Sequence, residues 1–315
     1  MLRWEKLGQI FDIKSRQDNP HMMEFAQCPT PYVLNKEVIR VFISSRPRPD
    51  SNMNYVAHPF YVDLDRKNLK RLIKTAESPL ISLGNKGTFD EFGIMPSSIV
   101  DEGDQLFIYY SGWTRLKSLP YAISIGILTS TDGGESFKRI GEGPILNSSL
   151  DEPFFVTGPR VLRTETSWKM WYLSCSKWEF IENKYEPTYR LSLAESKNGI
   201  DWVKTKKSVI EHKYENECQD IFTPFFHAGK WHALFAWRRA SKSDGHYRMG
   251  YAYSYDLENW IRDDSLAGIG TSNDGWDSEM ICYPNIITVD GRILMFYCGN
   301  EFGKFGFGVA ELLTT

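Results

Sequence analysis

Five times along the chain a short apolar run is followed by a turn and a second run rich in apolar and aromatic residues, and no stretch carries a convincing 3.6-residue period. The first runs, PTPYVL, PSSIV, PRVLR, PFFH and PNIITV, are headed by Pro29, Pro96, Pro159, Pro224 and Pro284. These prolines stand 67, 63, 65 and 60 residues apart. A period of this size marks a propeller or solenoid, where one unit is repeated because none can bury its apolar face alone. The second runs are VIRVFISS, QLFIYYSGW, WKMWYLSCSKW, WHALFAWRR and RILMFYCGN. Third runs open at Tyr55, Tyr121, Tyr189, Tyr247 and Phe305 and alternate with a period of two, the strand signature. Three of them enter tight turns at Ser130-Thr-Asp-Gly, Ser196-Lys-Asn-Gly and Ser254-Tyr-Asp-Leu, then the plugs Phe137, Trp202 and Trp260. Asp or Asn followed by Gly supplies the positive φ such turns need. A fourth, outer strand is expected after each plug.

The last unit stops at its third run, GFGVAELLTT, whereas Trp4–Phe11 (WEKLGQIF) reads as a fourth run without a unit of its own. The pattern therefore predicts an all-β chain: a single five-bladed β-propeller domain over residues 1–315, with four-stranded blades and a ring closed by the N-terminal strand. Closure of this kind removes an open sheet edge.

Composition narrows the partners rather than the fold. A net charge of −3 gives no reason to expect nucleic acid, and no apolar run reaches the length of a membrane span. The N-terminus lacks the apolar core of a signal peptide, so a cytoplasmic location is expected. Five Cys without C-x-x-C spacing and six scattered His predict neither a disulfide framework nor a metal site, and no cofactor is expected. The 14% aromatic content, with ten Trp, fits wide β-packing or a carbohydrate-binding face.

Propeller geometry sorts the polar residues. If the Pro-headed run is innermost, the residues before it and those ending the second run share one mouth of the central channel. Acids precede the first runs in every unit: Glu24; Asp90 and Glu91; Asp151 and Glu152; Glu217 and Asp220; Asp277 and Glu279. Paired carboxylates across a cleft are the minimum kit for glycosidic bond cleavage, and a neighbouring ring such as Trp276 in GWDSEMICYP offers a flat face to a sugar. Glu91, Glu152, Glu279, Asp90 and Asp277 are the expected acid/base set. Glu152 or Glu279 is the expected general acid, because aromatic neighbours and a second carboxylate raise a pKa. Arg46, Trp113, Trp178, Tyr189, Asp220, Arg238 and Trp276 are the expected substrate-binding residues, the Trp stacking on sugar and Arg46 and Arg238 holding an anionic group. For each acid a structural role competes: bonding backbone amides, or pairing with a neighbouring Arg to hold a loop. Trp202, Trp260 and the Trp residues inside WKMWY read as core.

The Pro-headed repeats with Y-x-x-x-x-A-x-S and S-x-D/N-G-x-x-W resemble the five-bladed propeller glycosidases, the group containing families 32, 43, 62, 68 and 130. FDEFGIMP, YYSGW, EPFF, AESKNGIDW and GWDSEMICYP are more closely similar to an uncharacterised glycosyl-hydrolase-like group associated with surface-polysaccharide genes. The resemblance covers essentially the whole chain. It implies a carbohydrate-active enzyme that cleaves or transfers a glycosyl unit of a small or oligosaccharide substrate. An inverting phosphorylase, a glycosyltransferase and a non-catalytic glycan-binding propeller are its alternatives. One departure matters. Families 32 and 43 carry an Asp directly before the first-blade Pro, where this chain has Gln27-Cys28-Pro29 and no acid nearer than Glu24. The family 130 phosphorylases instead use one acid while bound phosphate attacks, and Arg46, Arg238 and Arg239 are available to hold it.

Overall fold

The computed structural model describes residues 1–16, 18–241 and 245–313. Its strands form five antiparallel sheets in a ring. Blade one contains Glu24–Val33, Val38–Arg46, His58–Asp65 and Leu72–Thr75; blade two, Gly93–Asp101, Leu106–Arg115, Tyr121–Ser130 and Lys138–Arg139. Blade three contains Val156–Arg163, Trp168–Ile181, Lys184–Ser196 and Trp202–Ser208. In blade four the innermost strand is split into Glu217–Gln219 and Thr223–His227, both paired with Lys230–Arg239, and Arg248–Ser254 and Ile261–Arg262 complete the sheet. Blade five contains Cys282–Val289, Arg292–Cys298 and Gly306–Leu312, and its fourth strand is the N-terminal Trp4–Asp12. That strand runs antiparallel from Trp4 opposite Leu312 to Asp12 opposite Gly306, closing the ring as the unpaired fourth run predicted.

The prolines sit inside the innermost strands rather than at their heads. Blade one is already extended at Glu24, five residues before Pro29. A proline cannot donate to a ladder, so the pairing steps around it. Register shifts span Gln27/Thr30, Pro96/Ser98, Thr157/Arg160 and Cys282/Asn285. Three residues just before these prolines take positive φ: Cys28 at 52°, Gly158 at 60° and Tyr283 at 55°. The bulges therefore re-aim the chain at the level where all five innermost strands meet.

The plugs lock neighbouring blades. Phe137 packs 5.4 Å from Phe42 of blade one, Trp202 lies edge-on 6.0 Å from Tyr109 of blade two, and Trp260 lies edge-on 6.2 Å from Trp171 of blade three. The turns before them are built as their composition demands, with Ser130, Ser196 and Ser254 hydroxyls accepting from backbone N–H groups two to four residues on. Among the described residues no helix is long and apolar enough to cross a membrane.

Candidate active site at the channel mouth

The acids expected to converge do not share one opening. Asp90 accepts hydrogen bonds from the Tyr110 hydroxyl (3.0 Å) and from Arg139 (2.8 Å). Glu152 accepts from the Tyr172 hydroxyl (3.0 Å) and pairs with Lys204, while Asp277 accepts from the Tyr297 hydroxyl (2.9 Å) and from Lys6 (2.6 Å). The construction repeats: a carboxylate ahead of the innermost strand, a phenol from the second strand, a cation from the fourth. Blade four substitutes Glu217 and Arg262, 2.5 Å apart, with Phe235 under the guanidinium. Each acid is thus clamped across its own blade, and its signal in the sequence came from blade architecture.

Two details follow from the same packing. The third strand leaves room for the second-strand ring: a Cβ at Gly126 would stand 2.3 Å from the Tyr110 ring, and one at Gly250 2.4 Å from Phe235. Trp276, expected to stack on sugar, packs 5.1 Å from Tyr297, and a Cβ on Gly308 would come within 2.4 Å of it. It holds blade five as Phe89, 5.7 Å from Tyr110, holds blade two. Of the other expected catalytic residues, Glu91 accepts from the Gly87 N–H within its own loop (2.9 Å). Glu279 is exposed, its own N–H bonded to Asn300.

Apart from Trp276, the residues expected to bind substrate lie elsewhere, around the axis and the cleft beside it. Asp220 lies in the gap between the two pieces of the blade-four innermost strand. Its N–H reaches the Ala236 carbonyl (2.6 Å) and its Oδ1 accepts from the Ile221 N–H (2.8 Å), while Oδ2 is buried with no protein partner. Only 3% of the residue is exposed. Asp220 interacts electrostatically with Arg160 of blade three and Cys28 of blade one. Those blades are not neighbours in a ring of five, so these electrostatic interactions reach across the channel. Tyr247 and Tyr283 also feel the Asp220 charge.

Burial pushes the Asp220 carboxyl up to about 7, against the Ile221 bond and the positive charges of Arg238 and Arg160. Arg238 donates to Glu186 at 2.9 Å and lies over the Tyr247 ring, whose hydroxyl shares a hydrogen bond with that of Tyr189. Burial alone would raise Glu186 as well, but bonds from Lys184 and Arg238 outweigh it and hold this carboxyl below its usual range. Arg238 therefore links one carboxyl that favours its proton to another that favours its charge. Burial keeps the phenols of Tyr189, Tyr247 and Tyr283, and the thiols of Cys28, Cys282 and Cys298, neutral.

Beside this cluster a cleft of about 530 Å³ opens between blades one and two, with Arg46, Tyr55, Trp113, Arg115, Tyr121 and Tyr283 in its walls. Trp178 lies 5.2 Å from Tyr121 and 5.7 Å from Phe155, so its ring borders the mouth through Tyr121. Glu186, Arg160, Arg115 and Tyr283 were not singled out from the sequence. Glu186 had one visible cue: the second run of blade three is the longest, and its hairpin with Lys184–Ser196 brings Glu186 to Arg238. Arg160 reads as an ordinary strand residue in PRVLR. Among the described residues no group of three His, Cys, Asp or Glu is arranged to hold a metal ion.

No family model matches the chain. Two uncharacterised proteins of Mycobacterium tuberculosis, from strains CDC 1551 and H37Rv, are 29% identical over 314 residues, 99% of this chain and of each relative. A 1,2-β-oligomannan phosphorylase of Thermoanaerobacter is 25% identical over 194 residues, 61% of this chain and 58% of that one. A solved glycoside hydrolase superposes with a TM-score of 0.76 at 15% identity over 98% of this chain and 92% of its own. The β-1,2-mannobiose phosphorylase from Listeria innocua superposes with a TM-score of 0.64 at 10% identity over 91% and 89%. The chain has the five-bladed β-propeller fold that these glycoside hydrolase and phosphorylase structures share.

Proposed function

We propose that the protein cleaves or transfers a glycosyl unit of an oligosaccharide, with Asp220 delivering the proton to the departing glycosidic oxygen. The observation that carries this reading is a carboxyl buried at the ring axis, held by one oxygen, with the other left without a protein partner. Near neutral pH it retains its proton, as a general acid must. As the glycosidic bond breaks, the proton moves from Asp220 to the leaving oxygen. The resulting carboxylate is stabilised by Arg160 and Arg238. Glu186, ionised by Lys184 and Arg238, is the base that takes a proton from the attacking water or acceptor hydroxyl. Two carboxyl groups whose surroundings drive them to opposite states are the expected arrangement for acid and base. Work in surface-polysaccharide metabolism belongs to the same proposal and rests on the sequence resemblance.

Phosphorolysis is the second reading. Arg160 and Arg238 each have a buried Nε without a protein partner, and the likeness to phosphorylases points the same way. Here phosphate held by these two guanidiniums attacks the anomeric carbon in place of water, and Glu186 serves only to orient Arg238. The test is incubation with short oligosaccharides in ¹⁸O-water, with and without phosphate, read by mass spectrometry. Label in the released sugar supports hydrolysis and a phosphate-dependent sugar phosphate supports phosphorolysis. Turnover unaffected by Asp220→Asn would end both.

A further inference from the structure

The cleft between blades one and two differs in charge from the rest of the mouth. Its walls carry Arg46 and Arg115 but no Asp or Glu, alongside the rings of Tyr55, Trp113, Tyr121 and Tyr283. Elsewhere the buried or half-buried guanidiniums of Arg40, Arg139, Arg238 and Arg262 each meet a carboxylate, whereas Arg160 at the axis, like Arg46, forms no ion pair among the described residues. Arg46 meets none: its Nη2 donates to the neutral Gln27 amide at 2.8 Å, its Nε is buried without a partner, and the nearest acid, Glu24, accepts from the Tyr55 hydroxyl instead. Arg115 donates to the Tyr55 carbonyl at 2.6 Å. Both guanidiniums lie over rings, Arg46 4.3 Å from the Phe25 centroid and Arg115 4.0 Å from that of Phe92.

Glu24 lies within electrostatic range of Arg46 and Asp50 of Arg115, but neither guanidinium has an ion pair among the described residues. A desolvated cation without one is costly, and the cost falls when a ligand brings the anion into contact. Planar guanidinium donors fixed in orientation suit a carboxylate or phosphate, which they can hold through two parallel bonds. The four rings supply flat apolar faces for sugar C–H groups. Tyr283 borders the cleft and is also an electrostatic neighbour of Asp220, so it stands between a sugar seated here and the proposed proton donor. We propose that the Arg46–Arg115 cleft is a subsite for an anionic sugar unit, a hexuronic acid or a sugar phosphate, and that the substrate is an acidic glycan. This deepens the function proposed above and rests on it for the meaning of the neighbouring acid.

Binding, rather than turnover, tests it. Titrations by calorimetry and by ligand-observed NMR would use glucuronic, mannuronic and galacturonic acids, the corresponding hexose 6-phosphates, the neutral hexoses and inorganic phosphate, against wild type, Arg46→Gln, Arg115→Gln and Asp220→Asn. Expected is at least about tenfold tighter binding of one anionic series than of its neutral parent. The series that binds tells carboxylate from phosphate recognition. Each arginine substitution should remove that preference, and Asp220→Asn should keep it, so that the subsite stands or falls apart from the acid. Arg115 lies at the rim, and its replacement leaves a soluble protein in which the preference is still read if Arg46→Gln fails to fold. Equal affinity for neutral and anionic sugars, no sugar binding at all, inorganic phosphate alone binding as tightly as any anionic sugar, or a preference that survives Arg115→Gln would each overturn the assignment.

Discussion

Asp277 and Asp220 are both acids just ahead of or within an innermost strand, both about 2–3% exposed, and nothing in local sequence separates them. Asp277 meets a phenol and an ammonium, so its charge is answered inside its own blade. Asp220 meets one backbone N–H and leaves an oxygen unanswered. The first is the clamp expected of a structural acid. The second is a carboxyl whose proton is retained by burial, a state that stability alone gives no reason to keep. Substitutions that treat the two alike should have opposite consequences.

The largest expected effect is on turnover. Asp220→Asn should lower kcat by about 10²–10⁴-fold, the usual contribution of a positioned general acid, while unfolding shows no loss of stability. A glycosyl donor with a leaving group that needs no protonation should recover much of the rate. If such a donor is slowed as much as the natural substrate, Asp220 positions rather than protonates.

The pH dependence is next, and its sign is fixed by the direction of the shift. The unfolded chain loses the Asp220 proton near ~4, whereas the native state keeps it to about 7. Between those values the native state holds the extra proton, so stability falls as pH rises, by about 1.4 kcal/mol per pH unit at most. Asp220→Asn should flatten denaturant-derived stability across pH 4–7, and wild-type turnover should decline above pH ~7 as the acid ionises. A slope unchanged by the substitution would place the titration on another group.

Asp277→Asn should act the other way. Removing the charge leaves the Lys6 ammonium without its counter-charge, with only an amide oxygen to accept from it and from the Tyr297 hydroxyl, at a cost of about 2 kcal/mol, below the range for fully buried pairs because Lys6 is 23% exposed. Lys6 lies on the strand that closes the ring, so the loss should appear as earlier unfolding of the joined termini by hydrogen exchange, with kcat of the folded fraction unchanged.

These contrasts also mark how far the sequence could be read. Period, strand alternation and the unpaired WEKLGQIF run made the five blades and their closure legible, because a repeated unit repeats its packing demands. The acid-before-strand signal was equally regular, and for the same reason: Asp90, Glu152 and Asp277 repeat because the clamp repeats. Chemistry at the axis repeats in nothing. Asp220, Glu186 and Arg160 come from different positions within their units and are related only through long-range interactions, Asp220 with Arg160 and Arg238 electrostatically and Glu186 with Arg238 by an ion pair, set up by two bulged or interrupted strands and one long hairpin. Which partner an acid meets depends on long-range register, as with Lys6 reaching Asp277 across 271 residues. No local motif encodes that.

The smallest expected effects fall on Glu91 and Glu279. Glu91 accepts one bond from the Gly87 N–H in its own loop, and a glutamine oxygen accepts the same bond. Glu279 is exposed, and what its segment contributes is made by main chain: its N–H to Asn300, its carbonyl to Arg248. Exchanging either for Gln preserves those contacts, so stability should move by no more than about 0.5 kcal/mol and kcat/KM by less than about twofold. The pair is informative because sequence alone ranks them beside the catalytic candidates. A hundredfold loss in Glu279→Gln with stability intact would mean that the exposed loop ahead of blade five closes over substrate to supply the proton. Asp220 would then be a buried neutral acid serving only the packing of the axis.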